Sequence, residues 1–210
     1  MKDILQKALR QLKNALEDME KRYKVKYYIV GGILSNLYAV FRLTQDIDFV
    51  IDIQSQNITL KEYFTILQNY DFIPVQKWDK AEILAQESNL LQYFDKNQRV
   101  KFDNYIIDRN SQNPYSRLGP IGLKRRTREK LFGITFWVAS KEDYILSKLV
   151  FGGWQDYSDA LGCWMRFSES LDLNYLASTS KELNVLSQFN LLKSGMSDPD
   201  EYFTRLNHQN

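Results

Sequence analysis

Arg42-Leu43-Thr44-Gln45-Asp46-Ile47-Asp48-Phe49-Val50-Ile51-Asp52-Ile53 is the stretch on which the fold turns. From Asp46 onward it alternates: Ile47, Phe49, Ile51 and Ile53 fall on one side, Asp46, Asp48, Val50 and Asp52 on the other. A period of two is that of a strand, with one face for the core and one for a cleft or solvent. Carboxylates at i and i+2 leave the strand from the same side, about 7 Å apart. Such a pair repels itself in a water-poor cleft unless a cation lies between. Mg²⁺ meets that demand, because it takes one or two protein carboxylates and completes its shell with substrate phosphates. Asp52 shares the face but stands about 13 Å further along, too far to be a co-ligand.

Spacing by itself decides little. Roughly 0.7 Asp-x-Asp is expected by chance in a chain of this length. A second example, Asp198-Pro199-Asp200, occurs in a polar stretch with no strand pattern and reads as a turn. Context separates the two. Upstream of the first pair, Lys26 to Val30 reads as a short buried strand stopped by Gly31-Gly32. A helical stretch follows, carrying Ile33, Leu34, Leu37, Tyr38 and Phe41. Glycines allow backbone N–H groups close to a phosphate, and a helix N-terminus favours negative charge. Tight turns use the same pair of glycines. Should the two strands be sheet neighbours, a phosphate-binding bend and an acid pair lie side by side.

Arg99 to Asp108 is a second alternating strand, with Val100 and Phe102 toward the core and Lys101, Asp103 and Tyr105 opposite. Asp103 is the natural third carboxylate, to bind a second metal ion or to take the proton of an attacking hydroxyl. Asp108, beyond the strand end, is a weaker candidate. Residues 3–22 have the apolar spacing of an amphipathic helix, and Leu60 to Asn69 of another. Short strands are expected around Phe72 to Val75 and over Gly133 to Ala139. A loop rich in Asn, Pro and Gly is expected up to Gly122. The basic run Lys124, Arg125, Arg126, Arg128 and Lys130 follows it, as a solvated face or an electrostatic dock for RNA or pyrophosphate. Ser140 with Asp143 forms a capping box opening a helix through Phe151. Beyond Gly152 the pattern is helical, and Trp154, Tyr157, Trp164 and Phe167 fall at core spacing.

The composition removes whole classes of chemistry. The chain of 210 residues has one cysteine, Cys163, and one histidine, His208, the latter in a polar tail. No intrachain disulfide, Cys/His zinc site or Ser-His nucleophile follows from that inventory. Catalysis falls to carboxylates, lysines, arginines and a hard metal. A net charge of +2 announces no nucleic-acid partner by itself. Charges recur through the first twenty residues, and no apolar run approaches the ~20 residues of a membrane span. The expectation is a cytoplasmic protein with no membrane partner.

Gly31-Gly32 followed by the run Arg42 to Asp52 resembles the signature of the DNA polymerase β-like nucleotidyltransferase superfamily. More closely, the chain is similar to the minimal nucleotidyltransferases grouped with AbiEii-type toxins of type IV toxin–antitoxin systems. Val138 to Leu149 resembles that group's helix after the catalytic sheet, and Asp156-x-x-Asp159 its later acid pair, though Trp154-Gln155 stands where a basic residue is usual. The resemblance implies an α/β (α+β) nucleotidyltransferase fold: a mixed central sheet flanked by helices over 1–139, with a helical C-terminal part, 140–210, packed on it. It implies transfer of NMP from an NTP to an acceptor hydroxyl on an RNA or tRNA end, a protein or a small molecule. Asp46, Asp48 and Asp103 are then the catalytic and metal-binding acids, with Mg²⁺ or Mn²⁺ as cofactor. Gly31, Gly32, Ser35, Arg42, Thr44 and Lys148 are the expected nucleotide-binding residues, and a cognate antitoxin is an expected partner. A catalytically inactive relative serving as a binding or regulatory protein is the alternative.

Overall fold

The computed structural model describes residues 2–42, 44, 46–56, 58–108 and 114–207. Leu43 and Gln45 of the acidic motif, residues 109–113 of the expected loop, and His208 lie outside them. Helix α1 (Lys2–Tyr23) is followed by strand β1 (Lys26–Val30), short helix α2 (Ser35–Tyr38) and strand β2 (Asp46–Asp52). Next come α3 (Leu60–Asn69), β3 (Ile73–Pro74), α4 (Trp78–Ser88), β4 (Leu90–Phe94) and β5 (Lys101–Ile106). The chain continues with α5 (Pro114–Arg125), β6 (Thr127–Leu131), β7 (Ile134–Val138), α6 (Lys141–Phe151) and α7 (Trp154–Phe167). Helices α8 (Leu173–Glu182), α9 (Leu186–Lys193) and α10 (Pro199–Asn207) end it.

Among the described residues the strands make one mixed sheet, ordered β3-β4-β5-β2-β1-β7-β6. The chain forms two compact units, each discontinuous in sequence. The first comprises Met1–Ile33, Leu43–Asn110 and Arg126–Val138, and carries the sheet. The second comprises Leu34–Arg42, Ser111–Arg125 and Ala139–Asn210. Residues 34–42 and the helix α5 thus group with the C-terminal helices, a division that a single cut after residue 139 does not describe.

In the sheet unit, β2 lies between β1, antiparallel, and β5, parallel. Ile47, Phe49 and Ile51 are fully buried, as the alternation requires. Phe49 meets Tyr93 edge-on, Phe72 packs on Tyr93 and Phe102, and Tyr93 stacks on Phe102 at 5.4 Å. Such pairs add about 0.5–1.5 kcal/mol each beyond their buried area. This aromatic cluster fixes which side of β2 and β5 is core. It thereby sends Asp46, Asp48 and Asp103 to the other side, since a slip of one residue would turn the acids into the aromatic cluster.

Several expectations need correction. The stretch after Gly32 is a 3-10 turn and a one-turn helix, and Phe41 is 67% exposed rather than part of an apolar helical face. Helix α5 occupies Pro114 to Arg125, in place of the expected loop. Pro114 opens the helix, where proline is tolerated, and Pro120 lies inside it; Arg117 pairs with Glu182 and Arg125 with Glu142. Helix α4 and strand β4 are additions to the expected elements. Asp198-Pro199-Asp200 opens α10, with the Asp198 side chain accepting the Asp200 N–H at 2.9 Å. Trp154 is 53% exposed and donates to Asp200, so it is not core, while Tyr157 is buried.

Of the capping box expected at Ser140 the N-cap half is present: the Ser140 hydroxyl accepts the Asp143 N–H, and the Asp143 carboxylate accepts the Ser140 hydroxyl in place of its backbone N–H. Cys163 is buried on α7. Its thiol is pushed up to about 12 by burial and, less, by Glu142, against Lys141 and Arg166. Thiolate is the reactive form. A disulfide exchange reagent at about pH 8 should therefore leave the folded protein unlabelled and label one thiol per chain in denaturant. Rapid labelling of the folded protein would contradict the burial.

Candidate active site

The pairing of β2 places the acids. Asp48 is the register partner of Asp103 on β5, and of Val30, the last residue of β1. Asp46, two residues earlier, pairs with Lys101. Directly opposed residues share a sheet face, so Asp46, Asp48, Lys101 and Asp103 form a square of alternating positions on two parallel strands. Gln92 on β4 is the register partner of Asp103 and extends the row.

Gly31 closes the edge of this square. Its φ is +74°, a region where glycine alone rests without strain, and a Cβ there would overlap the Asp48 carboxylate. The Asp48 side chain therefore lies against the bend that ends β1. The juxtaposition of glycine bend and acid pair, conditional in the sequence, is realised because β1 and β2 are neighbours. The helix after the bend is too short to contribute much macrodipole.

Thr44 is buried and donates its hydroxyl to the Asp46 carboxylate and to the Asp46 carbonyl, the latter at 3.2 Å. Its visible task is to hold Asp46. Asp103 is engaged on both oxygens: Lys101 lies 2.9 Å from Oδ2, and Gln92 Nε2 donates to Oδ1 at 2.9 Å. The bond to Asp103 raises the Lys101 ammonium above its usual range against partial burial, and the charges of Asp103, Asp46 and Asp48 add to it. The Tyr105 phenol is pushed up to about 12, first by burial and then by Asp48, Asp103 and Asp46. The face is thus electronegative, and Lys101 is the cation on its two strands.

Among the described residues no three Asp, Glu, His or Cys side chains gather closely enough to cage a metal ion. The expected convergence of three carboxylates is corrected to a shared face, with Asp103 held by Lys101 and Gln92. The donor set still fits a hard divalent ion. Asp46 and Asp48 supply two carboxylates from one face of one strand. Asp52, excluded as a ligand, is buried and accepts the Ser55 N–H at 3.1 Å.

The second unit holds the other expected residues. Ser35 is buried, its hydroxyl 2.7 Å from the Tyr144 hydroxyl, so it serves the interior instead of a phosphate. The Lys148 ammonium stands 2.8 Å from Asp156 and 2.9 Å from Asp159. Arg42 reaches Asp159 at 3.1 Å, and Gln155 donates to its other oxygen. Lys148 and Arg42, expected at the triphosphate, thus neutralise the later acid pair. This network engages both acids, Asp156 and Asp159.

The basic run is largely accounted for. Arg125 stacks on Tyr175, and Arg126 and Arg128 stack on Trp137 at 4.4 and 4.6 Å. Lys124 and Lys130 are exposed. Lys101 and Gln92 are the residues whose involvement sequence reasoning missed. The alternation of β5 already puts Lys101 beside Asp103, whereas Gln92 needs the pairing of an unexpected strand.

The mixed sheet, which carries the acid pair on a central strand with a third acid in register, has the fold of a nucleotidyltransferase-like protein. Among solved structures the chain is similar to an antigenic nucleotidyltransferase-like protein from Paracoccidioides brasiliensis. The identity is 19%, the TM-score 0.56, and the match covers 89% of this chain and 88% of that one. Looser likenesses are to the lincosamide antibiotic adenylyltransferase LnuA, lincomycin-bound (16% identity, TM-score 0.44, 73% of this chain and 94% of that), and to the antibiotic-resistance factor ANT(2'')-Ia (12%, 0.46, 100% and 98%). No family model and no curated protein matches the chain. Among the described residues no helix is long and apolar enough to cross a membrane.

Proposed function

We propose that this protein is a divalent-metal-dependent nucleotidyltransferase that moves NMP from an NTP to an acceptor hydroxyl. The observation that carries the reading is the Asp46–Asp48 pair on β2, set against the positive-φ Gly31 and in register with Asp103. Asp46, steadied by Thr44, and Asp48, seated against Gly31, are the residues that hold the ion. Bound there, Mg²⁺ or Mn²⁺ neutralises and orients the triphosphate. Asp103 takes the proton of the acceptor hydroxyl. The acceptor oxygen bonds to the α-phosphorus, the bond from that phosphorus to the bridging oxygen breaks, and pyrophosphate leaves with the electron pair. The backbone N–H groups of the Gly31-Gly32 bend are the donors assigned to the phosphate oxygens in this reading.

The fold shared with a nucleotidyltransferase-like protein supports the reaction class. The sequence resemblance to AbiEii-type toxins supports a finer assignment. There the acceptor is an RNA or tRNA end, a protein or a small molecule, and a cognate antitoxin restrains the enzyme.

Thermal melting with each NTP tests the reading. Nucleotide at a hundredfold over its Kd stabilises the native state by about 2.7 kcal/mol, a rise of roughly 5–10 °C for a chain of this size. That rise should require Mg²⁺ or Mn²⁺ and disappear in chelator. Absence of any shift with all four nucleotides favours the catalytically inactive binding protein. A shift undiminished by chelator removes the metal from the account.

A further inference from the structure

Helix α4 buries only two alanines, Ala81 and Ala85. Side chains that short leave a gap between the helix and β4 that longer ones would fill. The gap is an open notch of about 110 Å³, walled by Val75, Ala81, Leu84, Leu90, Leu91 and Gln92. Among the described residues no charged side chain lines it. The large apolar side chains exposed among the described residues of the sheet unit are Tyr23, Val75, Ile83 and Leu84, and the last three stand on α4 or its approach. Gln92 ties the notch to the acidic face. It forms part of the wall, and its amide donates to Asp103 at 2.9 Å.

We propose that the notch is an acceptor subsite, and that the acceptor is a polypeptide whose aliphatic side chain seats there while a nearby Ser, Thr or Tyr hydroxyl meets Asp103. The inference rests on the nucleotidyl-transfer reading above and names its acceptor class. Size argues against a small molecule. Pockets that enclose one measure about 300–1,000 Å³, whereas 110 Å³ takes a single side chain. Charge argues against RNA, whose phosphates call for Lys or Arg in the wall. Exposed apolar side chains grouped beside a small pocket are what a protein partner covers. Asp103 stands on β5, one strand in from β4. Strands lie about 4.7–4.9 Å apart, so two such steps match about three residues of extended chain at about 3.3 Å each. The aliphatic residue therefore falls about three positions from the hydroxyl. That hydroxyl oxygen bonds to the α-phosphorus, its proton passes to Asp103, and pyrophosphate leaves with the electron pair.

The test is transfer of α-³²P label from NTP, with Mg²⁺, to synthetic Gly-rich peptides by the folded full chain. Each peptide carries one Ser or Tyr and, three residues to either side, Leu, Gly, Asp or Lys. Leu peptides should be labelled with about tenfold higher kcat/KM than Gly peptides, and Asp or Lys should bring no gain. Leu84→Gln makes the wall polar and Ser88→Phe fills the notch, so both should erase the preference. Ile83→Gln, on the same helix but outside the notch, should keep it. Equal labelling of Leu and Gly peptides by wild type overturns the subsite. So does a preference that survives both notch variants, or one that Ile83→Gln loses equally. Label entering no peptide, in a protein whose melting still shifts with NTP and Mg²⁺, overturns the acceptor class and leaves nucleotidyl transfer standing. No melting shift with any NTP brings down the reaction class and this inference with it.

Discussion

Gly31→Ala should lower both stability and nucleotidyl transfer, with the larger effect on transfer. Alanine at φ +74° carries a backbone strain of about 1–2 kcal/mol. Its methyl would also overlap the Asp48 carboxylate, so that Asp48 must move. Displacing a reacting geometry by an ångström costs about a hundredfold in rate. The molecule contains its own control. Gly195 has φ +80°, and a methyl on its Cα would meet nothing within 4 Å, so Gly195→Ala brings strain without collision. Melting of both variants should fall by several degrees, roughly 2–4 °C per kcal/mol. Only Gly31→Ala should lose Mn²⁺ binding and transfer. Equal behaviour of the two in a transfer assay would detach the glycine bend from the site.

Asp159→Ala should be among the most destabilising single changes in the second unit. The side chains of Asp159 and Lys148 are 4% and 5% exposed, and Asp159 also holds Arg42 and Gln155. Removing one member of a buried ion pair typically costs about 3–5 kcal/mol, because the partner is left charged in a poor solvent. Asp156 remains beside Lys148, which places the expectation near the lower end, at about 3 kcal/mol. Chemical denaturation of Asp159→Ala, Lys148→Met and the double variant measures it. The pair should be strongly non-additive, the double variant being less unstable than the sum of the two single losses. Simple additivity would mean that the network is not coupled as its distances indicate.

The acidic motif is legible in the sequence because its physics is local. An alternation of apolar and acidic residues in a strand fixes which side chains share a face before any partner strand is known. Asp46, Asp48 and Asp103 accordingly stand on one side of β2 and β5. What lies beyond the sequence is the occupancy of each carboxylate. Whether Asp103 faces a metal or Lys101 depends on pairing across β5, β2 and β4, and β4 carries no clear signal of its own. Helix α4 escapes a sequence reading because its buried stripe is only Ala81 and Ala85, while Ile83 and Leu84 are exposed. Helix α5 escapes it because Pro114, Gly119, Pro120 and Gly122 all read as loop. Lys148 misleads for a related reason: a lysine at the right place in a helix says nothing about the two acids that face it from the next one.

Transfer of label from α-³²P NTP, with Mg²⁺ and total cellular RNA or protein as acceptor, tests the central claim most directly when wild type is compared with Asp48→Asn. Asparagine keeps the shape of the side chain and removes the charge that holds the ion, so melting should match wild type while transfer falls by about a thousandfold. Equal labelling by the two proteins would contradict the account.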